Sequence, residues 1–174
     1  MENKVEIGLC TYFGGKPIIY KDENGASLTI GKFCSIGQNC QIYLGAEHRV
    51  DWISTFPFEQ KFPGSPKVVG HPKSKGDIII GNDVWIGDNV MILSGISIGD
   101  GAVIGAGSVV SKNIPRYQIW LGNPIMMSTF RNDPKVAWWN WEYQEILNAI
   151  GLLTSPNIGA LREYARSIGK SNAQ

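Results

Sequence analysis

From Ile80 the chain can be written in sixes: IGNDVW, IGDNVM, ILSGIS, IGDGAV, IGAGSV, VSKNIP. Position one is always Ile or Val, position two is usually Gly, and position five is apolar or small. An earlier block from Ile30, IGKFCS, IGQNCQ, IYLGAE, repeats the pattern, and Ile7, Phe13 and Ile19 mark a weaker one. Neither the 3.6-residue period of a helix nor plain strand alternation accounts for this spacing. A short strand and a turn repeated every six residues does, with parallel strands stacked coil upon coil. Position one then points inward and position five supplies a smaller inward residue. The position-two glycine is expected to permit a tight turn of positive φ. A triangular coil uses three hexads, so residues 80–115 make two coils and 30–47 make one. Residues 7–24 make a fourth, with 25–29 as a small insertion.

The register assigns other residues. Cys34 and Cys40 fall at position five, as small buried hydrophobes rather than nucleophiles, while Cys10 stays undecided. Position six points outward and carries Trp85, Met91, Val103 and Val109. Trp85 and Val103 share one face, Met91 and Val109 another, and such rows suggest an interface or a ligand groove. After Glu47 the repeat stops, and Ile80 restores it. The excursion, residues 48–79, is 32 residues long, not a multiple of six, so it is no hidden continuation. It opens with His48 where an inward aliphatic is due. Its Trp52, Phe56, Phe58 and Phe62 make it too aromatic for a disordered tether, so an ordered arm is expected. Beyond GNP (residues 122–124) comes an irregular stretch, then short helices. Asp133 with Pro134 can start one, Asn140 a second ending at Gly151, and Ser155 with Pro156 a third. Trp138, Trp139 and Trp141 read as packing anchors. The domain reading is therefore a β-coil domain over 1–124 and a helical extension over 125–174 packed on it.

Composition excludes several classes. Sixteen basic against fifteen acidic residues give no field for nucleic acid. No apolar run approaches a membrane span, and MENKVEIGLC has no signal-peptide core. Three cysteines without a CxxC pair fit a cytoplasmic protein with reduced thiols.

TIGKFCSIG (29–37), GAEHRVDWISTFPF (45–58), KGDIIIGNDVWIGDNVMI (75–92), IGAGSVVSKNIP (104–115), GNP and WWNW (138–141) together resemble the hexapeptide-repeat acyltransferases. The nearest branch is the xenobiotic acetyltransferases, which act on streptogramin A or chloramphenicol, with their sugar O-acetyltransferase relatives. The resemblance implies a mainly β fold: a left-handed parallel β-helix with an extended loop and short C-terminal α-helices. It also implies a homotrimer with active sites between subunits and acetyl-CoA as co-substrate. The acceptor would be a small molecule or glycan, with a sugar-like hydroxyl first and an antibiotic second. A zinc-dependent carbonic anhydrase-like β-helix is disfavoured, because a catalytic zinc takes three protein ligands and this chain has two histidines. A non-catalytic scaffold is the remaining reading.

The resemblance makes His48 the general base that removes a proton from the acceptor hydroxyl. An uncharged imidazole suits that task near neutral pH, and a thioester needs no metal. For the co-substrate it points to Trp85, Asp88, Gly105, Ala106, Ser111 and Lys112. Arg116 is added as a cation that could meet phosphate. Asp51, Trp52, Phe56 and His71 are candidate acceptor contacts, and Asp51 could alternatively orient the imidazole. Many relatives carry a basic residue two positions beyond GNP, where this chain has Met126; Arg131 is a candidate substitute.

Overall fold

The computed structural model describes residues 3–21 and 25–170. The chain divides into two compact units, Met1–Thr129 and Phe130–Gln174. In the first, strands follow at the spacing of the repeat: β1 (Val5–Ile7), β2 (Tyr12–Phe13), β3 (Ile18–Tyr20), β4 (Leu28–Ile30), β5 (Ser35–Ile36) and β6 (Gln41–Tyr43). After the arm, which carries one helical turn, α1 (Phe58–Lys61), come β7 (Ile78–Ile80), β8 (Trp85–Ile86), β9 (Met91–Ile92), β10 (Ser97–Ile98), β11 (Val103–Ile104) and β12 (Val109–Val110). After β13 (Gln118–Leu121), the stretch beyond GNP is not wholly irregular: it forms β14 (Met126–Phe130).

These strands make three faces. The first stacks β1-β4-β7-β10, the second β14-β13-β11-β8-β5-β2, and the third β12-β9-β6-β3. Pairing is parallel and keeps the hexad in register, with Ile36 beside Ile86, Ile86 beside Ile104, and Ile42 beside Ile92. The weak block is a true coil, since β1, β2 and β3 pair with β4, β5 and β6. Positions 22–24, at its end, lie outside the described residues.

The core is the stack of position-one residues. Ile80, Ile86, Ile92, Ile98, Ile104 and Val110 are at most 2% exposed. Position five fills the corners with Val84, Val90, Ile96, Ala102 and Ser108, and with Cys34 and Cys40. Burial pushes both thiols up from their ordinary pKa, so they are protonated near neutral pH.

The glycines work differently from expectation. Positive φ falls at position four, in Phe33, Asn39, Asp83, Asn89, Gly95, Gly101 and Gly107. The position-two glycines answer to stacking instead. A Cβ on Gly87 would lie 2.6 Å from the Ala106 nitrogen, and one on Gly99 would lie 2.5 Å from the Arg116 nitrogen. Coils spaced by strand hydrogen bonds leave no room there for a methyl.

The repeat also breaks earlier than its letters suggest. Leu44, at position three, is fully buried, whereas Ala46, at position five, is exposed with φ 65°. The left-handed step turns the chain out before the coil is complete. Glu47 and Lys73 then form an antiparallel bridge with N–H···O bonds of 3.1 and 2.7 Å, which closes the arm at its root. The core resumes at Ile78, ahead of Ile80.

The second unit is a small helical cluster. Val136, Trp141, Ala149, Leu161 and Ala165 form its core, with Trp138 and Tyr164 packed against it. Its helix starts differ from the sequence reading. Asp133 accepts a hydrogen bond from the Lys135 N–H at 2.8 Å, and Lys135 takes φ 56°, so a turn forms instead of a helix. Asn140 ends a 3-10 turn, Trp138–Asn140. α2 (Tyr143–Leu153) is capped by Glu142, in a reciprocal box with Glu145, and runs through Gly151. Asn157, not Ser155, caps α3 (Ile158–Ser167), accepting from the Ala160 N–H at 3.0 Å.

Candidate active site

His48 is the first residue past the root of the arm, and it is exposed. Its Nδ1 lies 2.5 Å from the Thr55 carbonyl oxygen. A carbonyl can only accept, so in the neutral ring Nδ1 carries the proton and Nε2 keeps the lone pair. The arm thus sets the tautomer with its own backbone, and Nε2 is the basic atom. Asp51 does not orient this ring. It is held by Arg49, with Nε to Oδ1 at 2.7 Å and Nη2 to Oδ2 at 2.5 Å. That guanidinium lowers the Asp51 carboxyl to about 2. Arg49 also donates to the Gly70 carbonyl at 3.3 Å and lies 4.9 Å over the Trp52 ring, drawing both limbs of the arm together.

His71 stands edge-on to His48, centroids 5.2 Å apart at 88°, and 5.9 Å from Trp52. Its Nε2 is buried and makes no hydrogen bond. The arm also forms a cavity of about 650 Å³ that His71 lines and His48 does not. Asp51, Trp52, Phe56 and His71 all line it, together with Ile53, Phe58 and Val68, so its walls are mostly apolar. The structure therefore gathers the four candidate acceptor contacts around one hollow, with His48 against His71 but outside the lining.

The candidates for the co-substrate sit on the coils. Trp85, 58% exposed, projects from the middle of the second face, beside Ser35 and Val103. Val103 itself is buried, unlike the open residue expected at position six. Met91 and Val109 pair on the third face, as the count in sixes predicts. Asp88, Gly105 and Ala106 share the corner that follows the second face, where the Gly107 N–H donates to the Asp88 carbonyl at 2.8 Å. Ser111 and Lys112 occupy the next corner, exposed, with Lys112 Nζ 5.9 Å over the Trp120 ring. Arg116 lies at the corner that leads into the second face, 5.4 Å over the Tyr117 ring.

Asp88 has a structural task as well. Its Oδ1 accepts from the Gln38 N–H at 2.7 Å. Asn82 does the same for Lys32 at 2.8 Å, and Asp100 for Asn82 at 2.7 Å. Position three thus carries a ladder of side-chain oxygens that satisfy the N–H groups of the coil before. Ala106 ends the ladder, offering no oxygen to the Asp88 N–H. A backbone donor is left at an open corner beside Trp85, the kind of group that meets an amide or thioester carbonyl.

The repeat profile of the family described as "Bacterial transferase hexapeptide (six repeats)" matches residues 77–112. A chloramphenicol acetyltransferase of Agrobacterium fabrum is 39% identical over 157 residues, covering 84% of this chain and 75% of the relative. A probable macrolide acetyltransferase of Lysinibacillus sphaericus is 41% identical, covering 86% and 88%. The chain belongs to the hexapeptide-repeat acetyltransferases. Among solved structures, a hexapeptide-repeat acetyltransferase of Vibrio cholerae in complex with acetyl coenzyme A has TM-score 0.56 at 27% identity. That match covers 74% of this acetyltransferase and 61% of the other chain, so the chain spans less than two thirds of it.

Sequence reasoning on this acetyltransferase missed Thr55, because a backbone carbonyl leaves no mark in residue type. It also missed Glu47 and Ser94. Their spacing carries no signal, since they meet only when the arm folds back on the third face. Among the described residues no group of three His, Cys, Asp or Glu side chains is placed to hold a metal ion, and no helix is long and apolar enough to cross a membrane.

Proposed function

We propose that the protein is an acetyl-CoA-dependent O-acetyltransferase whose acceptor is a bulky, largely apolar molecule bearing a hydroxyl. The observation that carries the reading is the His48 ring. It is held by the Thr55 carbonyl so that a lone pair on Nε2 stays free. Nε2 takes the proton of the acceptor hydroxyl as that oxygen attacks the thioester carbonyl carbon. The proton then passes to the departing thiol sulfur, and the base is restored. No covalent enzyme intermediate is required, and the buried thiols Cys34 and Cys40 have no part.

Trp85 and the Asp88–Ala106 corner offer an exposed ring and an unoccupied backbone N–H, which suits a pantetheine arm. Lys112 and Arg116 supply cations for phosphate. In this reading the coils are left-handed, three chains assemble in the cytoplasm, and the arm of one completes the site of its neighbour.

The acceptor class follows from the arm. A cavity lined by Trp52, Ile53, Phe56, Phe58 and Val68 favours apolar bulk over a bare sugar. The chloramphenicol and macrolide relatives favour the antibiotic type over the sugar-like hydroxyl put first under the family resemblance. The test is an acceptor panel of antibiotics, sugars and nucleotide sugars with acetyl-CoA, following thiol release. Turnover with an antibiotic that is abolished in His48→Ala is the expected result. Turnover with sugars only refutes the acceptor assignment, and a fully active His48→Ala refutes the base.

A further inference from the structure

The root of the arm is tied to the coils through one buried hydroxyl. Ser94, 1% exposed, follows β9 at position three, where other coils carry Asn82, Asp88 and Asp100. Its Oγ donates to Glu47 Oε1 at 2.6 Å and accepts from the Lys75 N–H at 3.0 Å. A single oxygen therefore joins the outgoing limb, the returning limb and the coil. Other bonds reinforce the junction. Ser74 Oγ donates to the Leu44 carbonyl at 2.5 Å, and the Gly95 N–H to the Gly76 carbonyl at 3.0 Å. Lys75 Nζ stands 3.9 Å from the second oxygen of Glu47.

Further out, the polar contacts of the arm described above join it to itself: Arg49 with Asp51 and Gly70, and His48 with Thr55. The root is therefore where the arm takes its position relative to the coils. Glu47 is also the residue before His48, and consecutive Cα atoms are about 3.8 Å apart. Whatever fixes Glu47 fixes the point and direction from which the imidazole leaves the core.

We infer that Glu47 and Ser94 are positioning residues for acetyl transfer: their hydrogen bond fixes where His48 leaves the coils of its own chain, and so where the base stands in the site. The inference rests on the reading of His48 as the base. A base displaced by about 1 Å can lose on the order of a hundredfold in rate while substrates still bind.

The test compares Ser94→Ala, Glu47→Ala, Glu47→Gln and the double alanine variant as full-length enzyme. Chloramphenicol serves as the acceptor probe, replaced if it is not turned over by whichever acceptor the panel identifies. The alanine variants are expected to lose about 10- to 100-fold in kcat, with KM for acetyl-CoA within about twofold of the parent. Glu47→Gln keeps an acceptor oxygen for Ser94 and is expected to retain most of the rate. The double variant should be no slower than the worse single one, because both remove the same bond. Trypsin, which cleaves after Lys61 and Lys67 within the arm, provides a readout without any acceptor, and cleavage should quicken in the alanine variants. If the alanine variants turn over within about threefold of the parent while His48→Ala is inactive, the positioning role is wrong. If His48→Ala is itself active, the base reading falls first and this inference with it. If Ser94→Ala fails to fold, the partly exposed Glu47 decides through Glu47→Ala against Glu47→Gln.

Discussion

Replacing Gly87 by alanine tests whether the hexad glycine is set by stacking or by turn geometry. Gly87 has no positive φ, so alanine would fit its backbone. The obstacle is the next coil. The new Cβ would lie 2.6 Å from the Ala106 nitrogen and 2.9 Å from its Cα, against about 3.4 Å for ordinary contact. Relief requires the coils to part by about 0.8 Å, the gap between 2.6 and 3.4 Å. The Gly87 N–H···O bond to Ile104 is 2.9 Å and the Gly107 bond to Asp88 is 2.8 Å, so both would stretch beyond hydrogen-bond range. Two lost bonds at roughly 1 kcal/mol each, with overpacking of about 1–3 kcal/mol, give a destabilisation of about 3 kcal/mol or more. Gly107→Asn is the control: nothing lies within 4 Å of its Cβ site, and Asn89 holds the same hexad position at φ 57°. It should cost about 1 kcal/mol or less. Urea unfolding at fixed protein concentration measures both. A Gly87→Ala protein within about 0.5 kcal/mol of the parent would falsify the stacking argument.

Further outcomes are expected. Trp85→Ala should weaken acetyl-CoA, seen as a smaller ligand-induced rise in Tm, while the unliganded Tm changes little; an undiminished shift would make Trp85 purely structural. Of the three thiols, only Cys10 is exposed, so native protein should titrate about one thiol with Ellman's reagent near neutral pH and three after denaturation. Fast reaction of Cys34 or Cys40 would contradict their burial and raised pKa. The Arg49–Asp51 pair sets an acid limit. Because the Asp51 carboxyl is depressed to about 2 in the folded arm, its contribution is present above the ordinary carboxylate range and is lost as pH falls from about 4 towards 2. Relative to an unfolded control substrate at the same pH, pepsin cleavage of the arm should therefore accelerate between pH 4 and pH 2, and Asp51→Asn should already show the faster relative cleavage at pH 4. Equal digestion of parent and variant at pH 4 would show that the pair does not hold the arm.

The residues that were legible in advance obey a short-range rule. Ile86, Ile104 and Cys40 were placed inward by counting in sixes, because in a stacked coil the sequence interval fixes which side of the wall a residue takes. His48 stood out because it interrupts that count. What counting could not give was the cause of Gly87, which depends on a backbone one coil away, or the partner of Asp51, which depends on how the arm turns. The helix caps were misjudged for a similar reason. Asp133 has the right side chain for an N-cap, yet a turn onto Lys135 uses it first.

By itself, the sequence determined the periodic wall: three faces, inward aliphatics, and an arm inserted between two blocks. Each of these follows from local spacing and from the need to bury one residue in every few. The tertiary structure alone decided the chemistry of the arm. It gave His48 its tautomer through the Thr55 carbonyl, and it joined Glu47 to Ser94 across 47 residues of chain. It also gathered Trp52, Phe56 and His71 around one cavity. Those contacts are made between groups whose separation along the chain carries no period, so only the folded path of the backbone brings them together.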